Sequence, residues 1–361
     1  MTLRPQTEGR CFVSLEFEAV SYDYNGEIAL DDISFAARPG QITCLLGPSG
    51  CGKSTLLRLA AGIIPLQKGE IRLDGDRLAG PDNSPPPEAR PVGLVFQEGA
   101  LFPHLTVARN VEFGLADRSN KRQIAADLLD QVGLSSLARR YPHTLSGGQQ
   151  QRVAFARALA PAPRVLLLDE PFANVDVVRR RSLREDMRRT LKDRGAIVIF
   201  VTHNPEEAVD ISDQIIVMEA RRILQKGTPE ALYDNPVSAR VGAFLSDSQI
   251  IRGARRQESI ETAFGTWPLT AIRRGAALPT STVDLLIRPG SIEISLGAHD
   301  TIIDDVRRIG SAQRISVRAR SGDRLHLEAD RDASFPLGAA VKITPKPAAI
   351  LAFAATSLES P

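Results

Sequence analysis

Apolar and polar positions alternate where the chain begins. Val13, Leu15 and Phe17 stand against Ser14, Glu16 and Glu18, a period of two that predicts a half-buried strand. Tyr22, Tyr24 and the turn Asn25-Gly26 follow. Ile33 and Phe35 begin a second alternating strand, closed by Pro39-Gly40. The pattern then shifts to short continuous apolar runs. Residues 42–46, 92–96, 165–168, 197–201 and 215–218 each read as a strand buried on both faces. Residues 56–61 predict a helix closed by Gly62 and stopped by Pro65. Glu70 to Leu73 predict a short strand with a turn at Asp74-Gly75, and the proline-rich residues 81–91 a loop. Helical periodicity takes over at 106–115, 120–132 and 135–141. Ile124, Leu128, Leu129 and Val132 make one apolar face there, with Gly133 where a C-cap belongs. Further helices open at 145–152, running to about Leu159, at Asn204-Pro205 and at Thr228-Pro229-Glu230. Buried strands alternating with helices predict an α/β fold with a mostly parallel sheet, carrying a helical subdomain at about 98–160.

After about Leu245 the helical signals fade. Short strands remain at 284–287, 292–296 and 341–343. Ile315, Val317 and Ala319 alternate up to Ser321-Gly322-Asp323, with Leu325 and Leu327 beyond, which predicts a hairpin. The expectation is a large domain over 1–245 and a small all-β, OB-like domain over 246–361, a partly open barrel. No catalytic constellation stands out in the second part.

Charge narrows the function classes. The 361 residues carry 45 Lys and Arg against 43 Asp and Glu, with no basic or acidic tail, so composition gives no support to a nucleic-acid partner. The Arg-rich stretch 178–194 reads as a solvated helix face. Cys11, Cys44 and Cys51 are scattered and lack metal-ligand spacing, as expected in a reducing compartment. No apolar run approaches the ~20 residues needed to cross a bilayer, and no signal-peptide core is present at the start. The chain is therefore expected to be cytosolic, touching a membrane only through a partner.

Candidate chemistry begins at Gly47-Pro48-Ser49-Gly50-Cys51-Gly52-Lys53-Ser54-Thr55, which fits the phosphate-loop pattern between a predicted strand and a predicted helix. The glycines let successive N–H groups face an anion, and the helix N-terminus adds partial positive charge. Lys53 suits the β- and γ-phosphates, and the Ser54 hydroxyl suits Mg²⁺. The run 165–168 ends in Asp169 and Glu170. Asp169 can hold the Mg²⁺, and Glu170 can act as general base toward the attacking water. Gln97 and His203 also end predicted strands, where ligands of open α/β sheets collect. Gln97 can ligate Mg²⁺ or hold that water. Tyr24 can stack on a purine or pack as sheet core. Leu145-Ser146-Gly147-Gly148-Gln149 is a second anion-binding pattern: a hydroxyl, two glycines and a helix start. Two γ-phosphate sites on one chain suggest a head-to-tail dimer with nucleotide between Lys53 of one copy and Ser146 of the other. The alternative is a Gly-rich N-cap.

The ordered set Gly47 to Thr55, Gln97, Leu145 to Arg152, Val165 to Glu170, Asp176 and His203 resembles an ATP-binding-cassette ATPase, over about 11–245. The resemblance implies that Ser146, Gly147, Gly148 and Gln149 belong to the signature motif. It makes Asp176 part of the dimer-contact loop and nucleotide site, and His203 the switch histidine. Val175 stands where Leu is usual, and Asn204 where Asp is common. The β-rich tail resembles the regulatory domain of importer ATPases for maltose, sulfate, polyamines and ferric iron. Residues 97–107 and Leu286-Ile287-Arg288-Pro289 look most like the ferric-iron group. This implies an ATP- and Mg²⁺-dependent subunit working in two copies with two membrane permeases, on the cytoplasmic face of the inner membrane. A periplasmic solute-binding protein would supply the cargo, and the helical insertion would receive a permease helix. The alternatives are another cargo (sulfate, polyamine, thiamine or sugar) or a non-transport ATPase of the same family.

Overall fold

A computed structural model describes residues 14–97, 99–115, 119–173, 175, 177–274 and 281–355 of the protein. Cys11, Val13, Glu98, Asn174 and Asp176 lie outside the described residues. The chain divides between Pro229 and Glu230 into two compact units.

The first unit opens with β1 (Leu15–Tyr24), β2 (Glu27–Ala37) and β3 (Ile42–Leu46), then α1 (Lys53–Ala61), β4 (Lys68–Leu73), β5 (Asp76–Ala79) and β6 (Val92–Val95). Helices α2 (Val107–Glu112), α3 (Lys121–Gln131) and α4 (Gly147–Leu159) follow. Then come β7 (Val165–Asp169), α5 (Val177–Arg194), β8 (Ile197–Thr202), α6 (Pro205–Ile211), β9 (Gln214–Glu219) and β10 (Arg222–Gly227). Strands β9, β3, β8, β7 and β6 run parallel in that order, with β10 antiparallel on the β9 edge. All of β3 and β8 is buried, which is why their sequences are apolar without alternation. By contrast β6 is half-buried along its first three residues, although its apolar run predicts full burial. Among the described residues its single strand neighbour is β7, and so it closes the sheet edge. A second, antiparallel sheet, ordered β2-β1-β4-β5, carries the alternating segments. Phe17 and Phe35 stack across it at 4.5 Å, and both join a core with Leu45, Leu56, Leu167, Ile199 and Ile216. Each such buried side chain contributes about 1.5–3 kcal/mol of transfer free energy.

The helix expected at 135–141 is absent; only a 3-10 turn forms at Ser135–Leu137. Two causes act together. Pro142 keeps Tyr141 extended, at φ −99° and ψ 152°. The carbonyls of Ala138 and Arg140 accept from the N–H groups of Ala108 and Val107, and so serve the open N-terminus of α2 instead of a helix of their own. α2 is itself capped by Thr106, which accepts from Arg109 N–H. Gly133 takes the left-handed conformation expected after α3, at φ 68°.

Asp213 locks the amino ends of the parallel strands. Its Oδ2 accepts from Ile42 N–H at 2.8 Å and from Lys192 Nζ at 2.6 Å, and its Oδ1 from Arg188 Nη2 at 3.1 Å. Burial pushes this carboxyl up, but the Ile42 hydrogen bond, Lys192 and Arg188 outweigh it and hold it below its ordinary value of 3.8. A depressed folded-state pKa contributes stability above the ordinary value, and that stability is lost as pH falls through the folded one. Asp213→Asn is therefore expected to lower unfolding free energy at neutral pH by about 1–3 kcal/mol. The deficit should shrink below pH 3.8, as followed by denaturant titration at a series of pH values.

The second unit contains α7 (Pro229–Asp234) from Glu230 onward, and α8 (Ala239–Leu245). Among the described residues ten strands follow: β11 (Gln249–Arg255), β12 (Ser259–Thr262), β13 (Gly265–Pro268), β14 (Ile272–Arg274), β15 (Thr282–Ile287), β16 (Ile292–Ile309), β17 (Ala312–Arg318), β18 (Arg324–Asp330), β19 (Ala340–Pro345) and β20 (Ile350–Ala354). They form a six-stranded and a four-stranded sheet around one core holding Trp267, Leu285, Ile315, Val317, Leu325 and Ile343. Trp267 is buried and its indole N–H donates to Ile343 O at 3.3 Å. β17 and β18 are the expected hairpin, in register from Arg318–Arg324 to Ala312–Asp330. The strands from Gln249 onward are consistent with the all-β, OB-like tail expected over 246–361, whereas the compact unit begins at Glu230 and so also takes in α7 and α8.

Candidate active site

The phosphate loop is shaped by what presses on it. A Cβ on Gly47 would lie 2.1 Å from Met218 O. One on Gly52, whose φ is +100°, would lie 2.3 Å from Ala29 O. Only glycine fits either place. Gly52 caps α1, so the free N–H groups of the first helical turn face the loop. Lys53 is 5% exposed. Its Nζ donates to Gly47 O at 2.8 Å and to Pro48 O at 2.7 Å, which folds the ammonium over the loop. Cys51 turns inward: it is buried, with Sγ 3.7 Å from Lys53 Nζ, and burial pushes its thiol up while Lys53 opposes the rise. Cys51 thus offers a ligand its backbone and not its side chain.

Three parallel strands deliver the polar groups. β7 ends at Asp169, whose Oδ1 accepts from Ser54 Oγ at 2.9 Å. Burial pushes the Asp169 carboxyl up, Glu170 adds to this, and the Ser54 hydrogen bond works against it. Glu170 leaves the strand at φ +44°, a conformation that costs a non-glycine residue roughly 1–3 kcal/mol, while its N–H stays tied to Val201 O at 3.1 Å. This turn aims the carboxylate between two neighbours. Oε2 accepts from Gln97 Nε2 at 3.1 Å, and Oε1 lies 3.0 Å from His203 Nδ1. A carboxylate only accepts, so a hydrogen bond to its ionised form requires the proton on Nδ1. Gln97, Glu170 and His203 thus meet just beyond the carboxyl ends of β6, β7 and β8.

The loop carrying His203 is anchored from beneath. Thr202 Oγ1 donates to Glu207 Oε2 at 2.5 Å and accepts from Asn204 N–H at 3.0 Å. Asn204 caps α6 through Glu206 N–H, with Pro205 at the first helical position. Glu207 is 5% exposed, and burial pushes its carboxyl up. The buried Arg184 beside it pairs with Asp210 at 2.6 Å.

A pocket of about 360 Å³ joins these parts. Ser49, Gly50, Gly52, Lys53, Ser54 and Thr55 line it from the loop, together with Glu170 and Tyr24. Tyr24 is 42% exposed and faces this pocket instead of the sheet interior, its ring edge-on to Tyr22 with centroids 4.9 Å apart. Ser146, Gly147, Gly148 and Gln149 do not line the pocket. They form the N-terminus of α4, where Ser146 Oγ accepts from Gln149 N–H at 3.4 Å and Gln149 Oε1 accepts from Ser146 N–H at 3.0 Å, a capping box.

The profile of the ABC transporter family matches residues 30–173. The Fe(3+) ions import ATP-binding protein FbpC of Pseudomonas fluorescens is 45% identical over 258 residues, covering 71% of this chain and 73% of that protein. This chain belongs to the ABC transporter ATP-binding family. The sulfate/thiosulfate import ATP-binding protein CysA of Burkholderia mallei is 41% identical over 342 residues, covering 91% of this chain and 95% of the relative. Both are importer proteins, and the chain falls in the importer group of the ABC ATPases. The solved dimer of the ATP-binding cassette MJ0796, in a post-hydrolysis state bound to ADP and Pi, superposes with a TM-score of 0.53 at 28% identity. It covers 59% of this chain and 98% of its own.

The residues present fit the nucleotide of an ABC ATPase. Glycine at 47 and 52 lets the loop pack closely against Met218 and Ala29, Lys53 brings the cation, and Ser54 with Asp169 is a hydroxyl–carboxylate pair suited to a hard divalent ion. Asp176 lies outside the described residues of this ABC cassette. Sequence reasoning missed Glu207, and its reading of 178–194 as a solvated face fails at Arg184, which is buried and paired with Asp210. Glu207 follows Glu206 in what reads as an ordinary acidic helix start, and nothing local marks the second carboxylate as the buried one.

Proposed function

We propose that this importer ATPase subunit hydrolyses ATP in a pocket shared by two copies of the chain, and so drives ferric-iron uptake through two membrane permease subunits. One observation carries the catalytic part: Glu170, held by Gln97 and His203, lines the same pocket as the phosphate loop. In this reading Lys53 and the α1 N-terminus bind the β- and γ-phosphates, and Tyr24 supports the base. Ser54, Asp169 and Gln97 would hold Mg²⁺, which when bound would supply positive charge against the phosphates. Glu170 orients the attacking water and takes its proton, while His203 and Gln97 keep its two oxygens aimed.

The pairing of copies is supported by Ser146 standing outside the lining of its own pocket and by the dimeric cassette at TM-score 0.53. Ser146, Gly147, Gly148 and Gln149 of one copy, with Asp176, complete the site of the other, so closure couples to the helical insertion that faces the permeases. The subunit then works peripherally at the cytoplasmic face of the inner membrane, with a periplasmic solute-binding protein delivering cargo. Among the described residues no helix is long and apolar enough to cross a membrane. The second unit serves as a regulatory domain.

Ferric iron is favoured by the 45% identity to the iron importer protein. Sulfate is the second reading, favoured by the 91% coverage of this chain in the match to the sulfate importer protein. A deletion strain complemented with this chain should regain uptake of radiolabelled Fe(III) and not of sulfate or spermidine. Restoration of sulfate uptake alone would replace the cargo and leave the ATPase assignment standing.

A further inference from the structure

We infer that Arg221 is a nucleotide-binding residue that grips the nucleoside end of the ligand together with Tyr24. The inference rests on the pocket being the nucleotide site. β9 and β10 are joined by the two residues Ala220 and Arg221, between the paired Glu219 and Arg222. Both have positive φ, 47° and 70°. A two-residue hairpin of this kind favours Asn-Gly, because side chains with a Cβ resist that conformation. An arginine there is a departure from the easy choice, and strained positions of this kind gather at ligand sites.

The surroundings say what the arginine faces. Arg221 lines the same 360 Å³ pocket as Lys53, Ser54 and Glu170. Its side chain is 41% exposed, and its Nη2 lies 3.1 Å from Glu27 Oε1. Glu27 pairs in register with Tyr24 across the Asn25-Gly26 turn, so guanidinium, carboxylate and phenol ring cluster together. The turn is also fastened to β2. Asp31 N–H donates to Arg221 O at 3.0 Å, and Arg222 Nε donates to Asp31 Oδ2 at 2.7 Å. β2 in turn presses Ala29 and Leu30 against Gly52 of the phosphate loop. The hairpin tip is thus held in place against the pocket, with one planar cation presented to it. A guanidinium can stack on a purine face or donate to ribose oxygens, whereas the phosphates already have Lys53 and the helix N-terminus.

Arg221→Gly separates binding from structure, because glycine takes φ +70° without strain. Calorimetric titration of the full-length protein with ATP and with inorganic tripolyphosphate, plus thermal melting without ligand, forms the test. The variant should bind ATP about tenfold more weakly, bind tripolyphosphate as the parent does, and melt at the same temperature or higher. Lys53→Ala, run alongside, should weaken both ligands. Unchanged ATP affinity in Arg221→Gly would overturn the inference, as would equal weakening toward ATP and tripolyphosphate. A parent protein that binds no ATP would instead bring down the nucleotide reading of the pocket, and this inference with it.

Discussion

Glu170→Gln is expected to slow steady-state ATP hydrolysis by about 10²–10⁴-fold while leaving ATP binding intact. The substitution keeps the side chain's length and its place at the end of β7. It removes the oxygen that can accept a proton from water. The amide must also meet a donor on one side, Gln97 Nε2 at 3.1 Å, and His203 Nδ1 at 3.0 Å on the other, so one of these contacts is lost or reversed. The φ of +44° belongs to the backbone turn and does not depend on the carboxylate. Phosphate release is the measurement, with size-exclusion chromatography in ATP as the companion. Dimers should persist in the variant and disperse in the parent as nucleotide is consumed. Hydrolysis at the parental rate would remove Glu170 from the role of base and shift attention to His203.

Lys53→Ala is the second large effect, and it falls on binding. The ammonium is nearly enclosed, with two of its donors on the carbonyls of Gly47 and Pro48. Charge-assisted hydrogen bonds of about 1.5–3 kcal/mol each are lost toward the phosphates, so ATP affinity should fall by roughly 10²-fold. The empty place also leaves two loop carbonyls short of a donor. Melting temperature without ligand should therefore drop by a few degrees, matching about 1 kcal/mol. Direct titration decides the matter: unchanged affinity contradicts the assignment of this loop to phosphates.

Both expectations concern residues whose chemistry is legible in the sequence itself. The phosphate loop reads from nine consecutive positions, since its chemistry is local: glycines where the backbone must bend, a lysine and a hydroxyl at a helix start. The same holds for the caps at Ser146 and Asn204, each of which answers N–H groups within three residues. The missing helix at 135–141 has the opposite character. Its apolar spacing is adequate, but its carbonyls are claimed by α2, some thirty residues earlier in the chain. β6 departs from full burial for a related reason, because an apolar run does not reveal whether its strand will lie inside the sheet or at its edge.

What the amino-acid order determined alone is the kind of chemistry this ABC ATPase carries: an anion loop, strand-end carboxylates, a family signature and a β-rich tail. Tertiary structure decided which of those groups meet. Gln97 and Glu170 are 73 positions apart and His203 lies 33 further on, yet the parallel order of β6, β7 and β8 brings Gln97 and His203 within 3.1 Å of the Glu170 carboxylate. It also decided that Glu207 is the buried carboxylate beneath His203, and that Arg221 lines the pocket from a turn with positive φ. Short-range patterns reflect the conformational preferences of neighbouring residues. Proximity across a sheet depends on strand order, which no local window of sequence contains.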